Sequence, residues 1–188
     1  MQEIILASGS PRRKELLAQI GIPFQVIKSN AEEKITKTVP EEIVKDLSLQ
    51  KAADVAEQLT EGIVLGADTI VCLDGEIMGK PKDRNDAFHM LERLQGRSHS
   101  VFTGVTLMRK APGEEMKIRS FAVETRVKIH EMCRKEIEAY LDTGDPFDKA
   151  GSYGIQGPFA AYVDGIEGDY NNVVGLPVAA VYQELKQL

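Results

Sequence analysis

Cysteine is nearly missing from this 188-residue chain. Cys72 and Cys133 are too few and too isolated for a disulfide framework or a thiolate metal site. Histidine is almost as scarce: His89, His99 and His130 fall on different predicted elements and form no ligand set. No apolar run approaches the ~20 residues that span a bilayer. Nothing at the N-terminus resembles a signal peptide, because acidic Glu3 precedes only a short apolar run, Ile4 to Ala7. Positive charge is in short supply as well. The net charge of −6 argues against a general nucleic-acid binder, which carries a broad basic face. Walker A, G-x-S-x-G, H-E-x-x-H and G-x-G-x-x-G patterns are lacking, as are internal repeats, low-complexity tracts and flexible linkers. With 43% apolar and 28% charged residues, the expectation is an ordinary soluble, cytoplasmic protein. It is long enough for a full core, as one domain or as two lobes sharing a sheet.

What is present begins at the N-terminus. Ile4-Ile5-Leu6 reads as a buried strand, Ser8-Gly9-Ser10 as a tight turn, and Pro11 as the first residue of a helix that Ser10 caps. Leu16, Leu17 and Ile20 give that helix its inward face. Arg12 and Arg13 do not fit a purely structural start: a helix N-terminus is already partly positive, and a base there costs roughly 0.3–1 kcal/mol. Two guanidinium groups, free N–H groups and the hydroxyls of Ser8 and Ser10 on a glycine turn suit an anion, as a phosphate clamp. The same residues also suit a solvated basic turn with Arg12 paired to Glu15.

After Gly21-Ile22-Pro23, Phe24–Ile27 reads as a second strand. Residues 29–37 are polar and non-periodic, and the adjacent Glu32 and Glu33 suit a solvated loop. Thr38-x-x-Glu41 with Pro40 predicts a capped helix to about Leu59. Its stripe of Val44, Leu47, Ser48, Lys51, Val55 and Leu59 places Lys51 on the inward face. That lysine either snorkels to water or aims its ammonium into a cleft. Ile63–Cys72 is the strongest strand, apolar on both faces as a central strand should be. Asp68 interrupts it. A carboxylate there needs hydrogen bonds, a counter-charge or a metal, and a functional role is favoured over a loop cap.

Asp74-Gly75 supplies a hairpin turn, and Glu76–Pro81 returns antiparallel, able to bring Lys80 near Asp68. Asp83 caps a helix through Leu94. Gly96–Ser100 leads into a strand over Val101–Met108, Ala111-Pro112-Gly113 turns it, and Ile118–Ile129 alternates as a long strand. Arg134–Leu141 is a further amphipathic helix. The segment Asp145–Pro158 is rich in chemistry: Gly151, Gly154 and Gly157 allow close backbone approach. Gln156 sets a donor beside an acceptor, a pattern that reads a base edge or simply ties backbone. Tyr162-Val163 reads as the last strand, and Gly175-Leu176-Pro177 opens the final helix.

The available chemistry is carboxylate and cation: Glu32 or Glu33 with Asp68, against Arg12, Arg13, Lys51 and Lys80. That inventory suits a hard divalent cation with phosphates, with basic side chains offsetting charge on a leaving group. In these blocks the sequence resembles the Maf nucleotide pyrophosphatases, first named for septum formation. The resemblance is carried by Leu6–Arg13, Glu32-Glu33, Lys51-Ala52, Gly66–Thr69, Gly79–Pro81, Gly96–Val101, Asp148–Gly157 and Gly175–Pro177, and spans essentially the whole chain. It implies a single α/β domain, a mixed twisted sheet in two lobes with flanking helices around one central cleft, similar to the inosine triphosphatase architecture. The implied activity is Mg²⁺- or Mn²⁺-dependent hydrolysis of dTTP and UTP to the monophosphate and pyrophosphate.

Residue by residue, the resemblance implies Asp68 as proton acceptor, and as metal ligand with Glu33. It implies Ser8, Arg12, Arg13, Lys51, Thr69, Lys80 and Gln156 in substrate binding and choice. Ser152 stands where the family commonly has alanine. The expected partner is a small nucleoside triphosphate, with no nucleic acid and no membrane; a homodimer is left open. Two rival readings are a nucleotide-binding regulator of cell division with little catalysis, and the same reaction on a modified base.

Overall fold

Proline decides where the first two helices begin. A computed structural model describes residues 3–188 of the chain. Helix α1 spans Pro11–Gln19 and helix α2 spans Pro40–Ala56. The residue before a proline is held out of the helical region, so it becomes the cap. Ser10 (φ −63°, ψ 121°) therefore precedes α1 and Val39 (φ −81°, ψ 126°) precedes α2. This corrects the expected capping box at Thr38: the spacing is off by one, because Pro40 forces the preceding position. Neither cap residue makes a side-chain capping bond. Helix α2 also ends at Ala56, short of Leu59.

Strands β1 (Ile4–Leu6), β2 (Phe24–Val26) and β3 (Gly62–Leu73) run parallel, with β1 between the other two. Asp74 (φ 53°) and Gly75 (φ 82°) are both left-handed, as a two-residue hairpin turn requires. They return the chain antiparallel as β4 (Glu76–Met78). Helix α3 (Arg84–Leu94) opens on Asp83, whose side chain accepts from the Asp86 N–H at 2.8 Å. Strands β5 (Ser98–Lys110) and β6 (Lys117–Ile129) follow, then α4 (Arg134–Asp142), three short 3-10 turns over 145–162, β7 (Val163–Glu167), α5 (Tyr170–Val174) and α6 (Val178–Leu185). The sheet order is β2-β1-β3-β5-β6-β7, with β4 on β3. It is a mixed α/β sheet with flanking helices. The last strand begins at Val163 rather than Tyr162, which ends a 3-10 turn, and α5 is a helix that periodicity did not show.

The chain divides into two compact units, each drawn from separate stretches of sequence. The first takes residues up to Asp68, Thr103–Val123 and Gly175–Leu188. Its core includes Ile4, Leu6, Leu17, Val44, Val55, Leu65, Leu107 and Val181, none more than a few per cent exposed. The second takes Thr69–Phe102 and Glu124–Val174. Its core includes Leu91, Leu94, Ile137 and Leu141, together with an aromatic group of Tyr140, Tyr153, Phe159 and Tyr162, with ring centroids 4.8–5.6 Å apart along Tyr140–Phe159, Tyr153–Phe159 and Phe159–Tyr162.

Candidate active site

In the first unit the turn after β1 holds Ser8, buried, and the first turn of α1 holds Arg13, only 9% exposed. The Arg13 Nε donates to the Gly175 carbonyl at 2.8 Å, and Nη1 donates to Ser8 Oγ at 3.1 Å. Ser8 Oγ also accepts the Ser10 N–H at 3.3 Å. Arg13 is thus built into the turn and orients Ser8, while Arg12 is half-buried beside it. Burial lowers the Arg13 pKa from its ordinary value; the negative charge of Asp68 opposes that shift, Arg12 adds to it and Glu33 opposes it. Guanidinium remains charged in such a setting.

Two glycines explain why Lys51 arrives at Asp68. A Cβ on Gly66 would lie 2.3 Å from the Ser48 carbonyl oxygen and 2.9 Å from Ala52 Cβ. One on Gly104 would lie 2.1 Å from the Val44 carbonyl oxygen. The backbone of α2 therefore rests directly on β3 and β5, a contact no larger residue permits. A chain of hydroxyls running from the core to the surface fastens it: Ser48 Oγ to Thr106 Oγ1 at 2.8 Å, both buried, and Thr106 Oγ1 to the exposed Ser120 Oγ at 3.0 Å. Asp68 is two residues beyond Gly66 on the same strand, hence on the same face. Lys51 Nζ lies 2.5 Å from Asp68 Oδ1 and 3.0 Å from Glu33 Oε1. Lys51 does not snorkel; it closes an ion pair whose side chains are 16% and 13% exposed. Of the two adjacent glutamates, Glu33 meets the ammonium.

The remaining sequence-predicted residues belong to the second unit. Thr69 is half-buried, and Lys80 and Gln156 are exposed. The segment before Gln156 is firmly tied. Tyr140 Oη donates to Asp145 Oδ2 at 2.6 Å and accepts the Gly154 N–H at 3.2 Å. Lys149 Nζ donates to the Asp145 carbonyl at 2.6 Å and to Asp148 Oδ1 at 2.7 Å. Gly151 and Ser152 are left-handed, at φ 69° and 60°. Glycine takes that conformation freely, whereas serine does so at some cost.

Sequence reasoning gave no role to the buried pair behind this segment, His99 Nε2 and Tyr153 Oη, 2.7 Å apart. The signal was there: His99 alternates with Ser98 and Ser100 on a strand, so it points inward. Burial lowers the His99 pKa to about 4 and raises the Tyr153 hydroxyl above its ordinary range.

The strand carboxylate of Asp68 is closed by the Lys51 ammonium and its charge reaches the buried Arg13 guanidinium, a concentration of opposed charges of the kind that chemistry on an anionic substrate requires. The chain belongs to the Maf family: the family described as Maf-like protein matches residues 3–188. It is similar to a dTTP/UTP pyrophosphatase of Agathobacter rectalis, 50% identical and covering 100% of this chain and 98% of that protein. A dTTP/UTP pyrophosphatase of Bacillus cytotoxicus is 52% identical, covering 100% of this chain and 96% of that protein. Among solved structures, a nucleoside-triphosphatase, or dITP/XTP pyrophosphatase, of Mycobacterium abscessus covers 97% of this chain and 94% of that one, at 14% identity and TM-score 0.45.

Proposed function

We propose that this chain hydrolyses dTTP and UTP to the nucleoside monophosphate and pyrophosphate. The observation that carries this reading is identity at 50% and 52% of positions, over the full chain, to relatives named for that activity. The charge arrangement supplies the chemistry. Water attacks the α-phosphorus, the bond to the bridging oxygen breaks, and pyrophosphate leaves. Asp68 takes the proton from the attacking water. Lys51 and Arg12 offset negative charge as it builds on the leaving group. Arg13 holds Ser8 and the turn in place to receive phosphate oxygens.

The residues fit a divalent cation. Asp68 and Glu33 already reach one positive centre, the Lys51 ammonium. Mg²⁺ or Mn²⁺ takes one or two such carboxylates and fills its remaining positions with phosphates and water. Among the described residues no three His, Cys, Asp or Glu side chains form a metal cage. Asp68 and Glu33 would hold the cation, and it would neutralise phosphate oxygens there.

Base choice falls to Gln156, whose amide oxygen would accept from N3–H of uracil or thymine while its nitrogen donates to O4. Thr69 and Lys80 are assigned to substrate binding with it. The proposed location is the cytoplasm, where nucleoside triphosphates are made and used; no helix among the described residues is long and apolar enough to cross a membrane.

A panel of nucleoside triphosphates, scored by pyrophosphate release with and without EDTA, tests the reading. Release from dTTP and UTP, abolished by EDTA, is expected. Tight nucleotide binding with no release would instead make the protein a regulator, and release confined to another base would move the substrate.

A further inference from the structure

Glu33 sits in a stretch with no helix or strand to hold it, yet its carboxylate meets Lys51. The face of α2 explains this. Asp46, Gln50 and Asp54 recur every fourth residue and so share one stripe. Asp54 Oδ2 accepts from Ser29 Oγ at 2.8 Å and from the Asn30 N–H at 2.9 Å, and Ser29 Oγ in turn accepts the Ala31 N–H at 3.1 Å. Four residues back, Gln50 Oε1 accepts the Lys34 N–H at 3.0 Å while its Nε2 donates to the Lys34 carbonyl at 2.9 Å and to Asp46 Oδ2 at 2.9 Å. The loop backbone is thereby gripped on both sides of Glu33, and Lys51 directly follows Gln50 on the helix. Bonds from Ser29 first and Asn30 second hold Asp54 below the usual carboxylate range.

We propose that Gln50 and Asp54 are positioning residues that hold Glu33 opposite Asp68, and so set how well the pair binds a divalent cation. The proposal rests on the reading that Glu33 and Asp68 hold that cation. Without these grips the loop keeps its sequence but its carboxylate is no longer fixed in place, and a ligand that must be found costs affinity that a preset ligand does not.

The test uses Mn²⁺ alone, titrated into the full chain without nucleotide and followed by the electron paramagnetic resonance of the free ion. Amide hydrogen exchange over residues 29–34 is measured in parallel. Gln50→Ala and Asp54→Ala are expected to weaken Mn²⁺ binding by about tenfold or more, approaching Glu33→Ala, and to speed exchange at Asn30, Ala31 and Lys34. Asp54→Asn keeps the accepting oxygen and is expected to stay near wild type, as a merely charge-based role would not allow. Faster exchange with unchanged Mn²⁺ affinity, while Glu33→Ala weakens it, would overturn the proposal and leave the cation reading intact. Wild-type Mn²⁺ affinity in Glu33→Ala would overturn the cation reading, and the proposal with it.

Discussion

Lys51 answers to two carboxylates at once, and they are not equivalent. Its contact with Asp68 is largely shielded from water, whereas Glu33 is half-exposed. Removing one partner of a shielded pair leaves the other uncompensated, at a cost of roughly 3–5 kcal/mol. Lys51→Met is therefore expected to lower stability in urea unfolding by an amount of that order and to slow turnover; unchanged stability would mean that Asp68 finds another partner.

His99 carries a second residue-scale consequence. Its pKa is lowered to about 4 by burial, so between about 4 and its ordinary value the unfolded chain binds the proton more readily. The stability it contributes is complete above the ordinary histidine range and is lost as pH falls towards 4, by up to about 3 kcal/mol. Unfolding measured at pH 7.5 and at pH 5 should show this loss, and His99→Gln should shrink it. An equal slope in the variant would exclude His99 as its source.

At the scale of elements, the seat of α2 on the sheet places the ammonium. Gly66→Ala would drive a Cβ to 2.3 Å from the Ser48 carbonyl oxygen, backbone that cannot swing away as a side chain would. The expected cost is about 1–3 kcal/mol, together with reduced turnover as Lys51 is displaced from Asp68. Gly79 is the contrast: a Cβ there meets nothing within 4 Å, so Gly79→Ala should change thermal stability by within about 0.5 kcal/mol. Equal effects of the two substitutions would refute the packing account.

This is also the scale at which sequence reading stopped short. The inward stripe of α2 and the interruption of β3 by Asp68 were visible because each is a local pattern with a fixed period. That Gly66 and Gly104 receive the helix was not, because close approach of two backbones leaves no mark within either segment alone. Proline displaced the α2 cap to Val39 for a reason that sits in the sequence, the extended residue before it. Five-residue α5 has too few turns to show a period at all.

The whole molecule joins distant stretches through single side chains. Arg13, near the start, donates to the carbonyl of Gly175, near the end, and Val178 and Val181 beyond it are buried in the first unit. A chain ended after Val174 should lose cooperative unfolding by circular dichroism; a wild-type transition would show that the last segment is dispensable. Which acids and bases occur was legible in the sequence; that Glu33 rather than Glu32 meets Lys51 depended on how a loop lies along a helix. The proposed hydrolysis turns on Asp68 as the group that would receive a proton from water. Pyrophosphate release from dTTP with Mg²⁺, compared between wild type and Asp68→Asn at a temperature where circular dichroism shows both fully folded, tests it most directly. A fall of about 10²–10⁴-fold in kcat is expected, and turnover within a few-fold of wild type would contradict it.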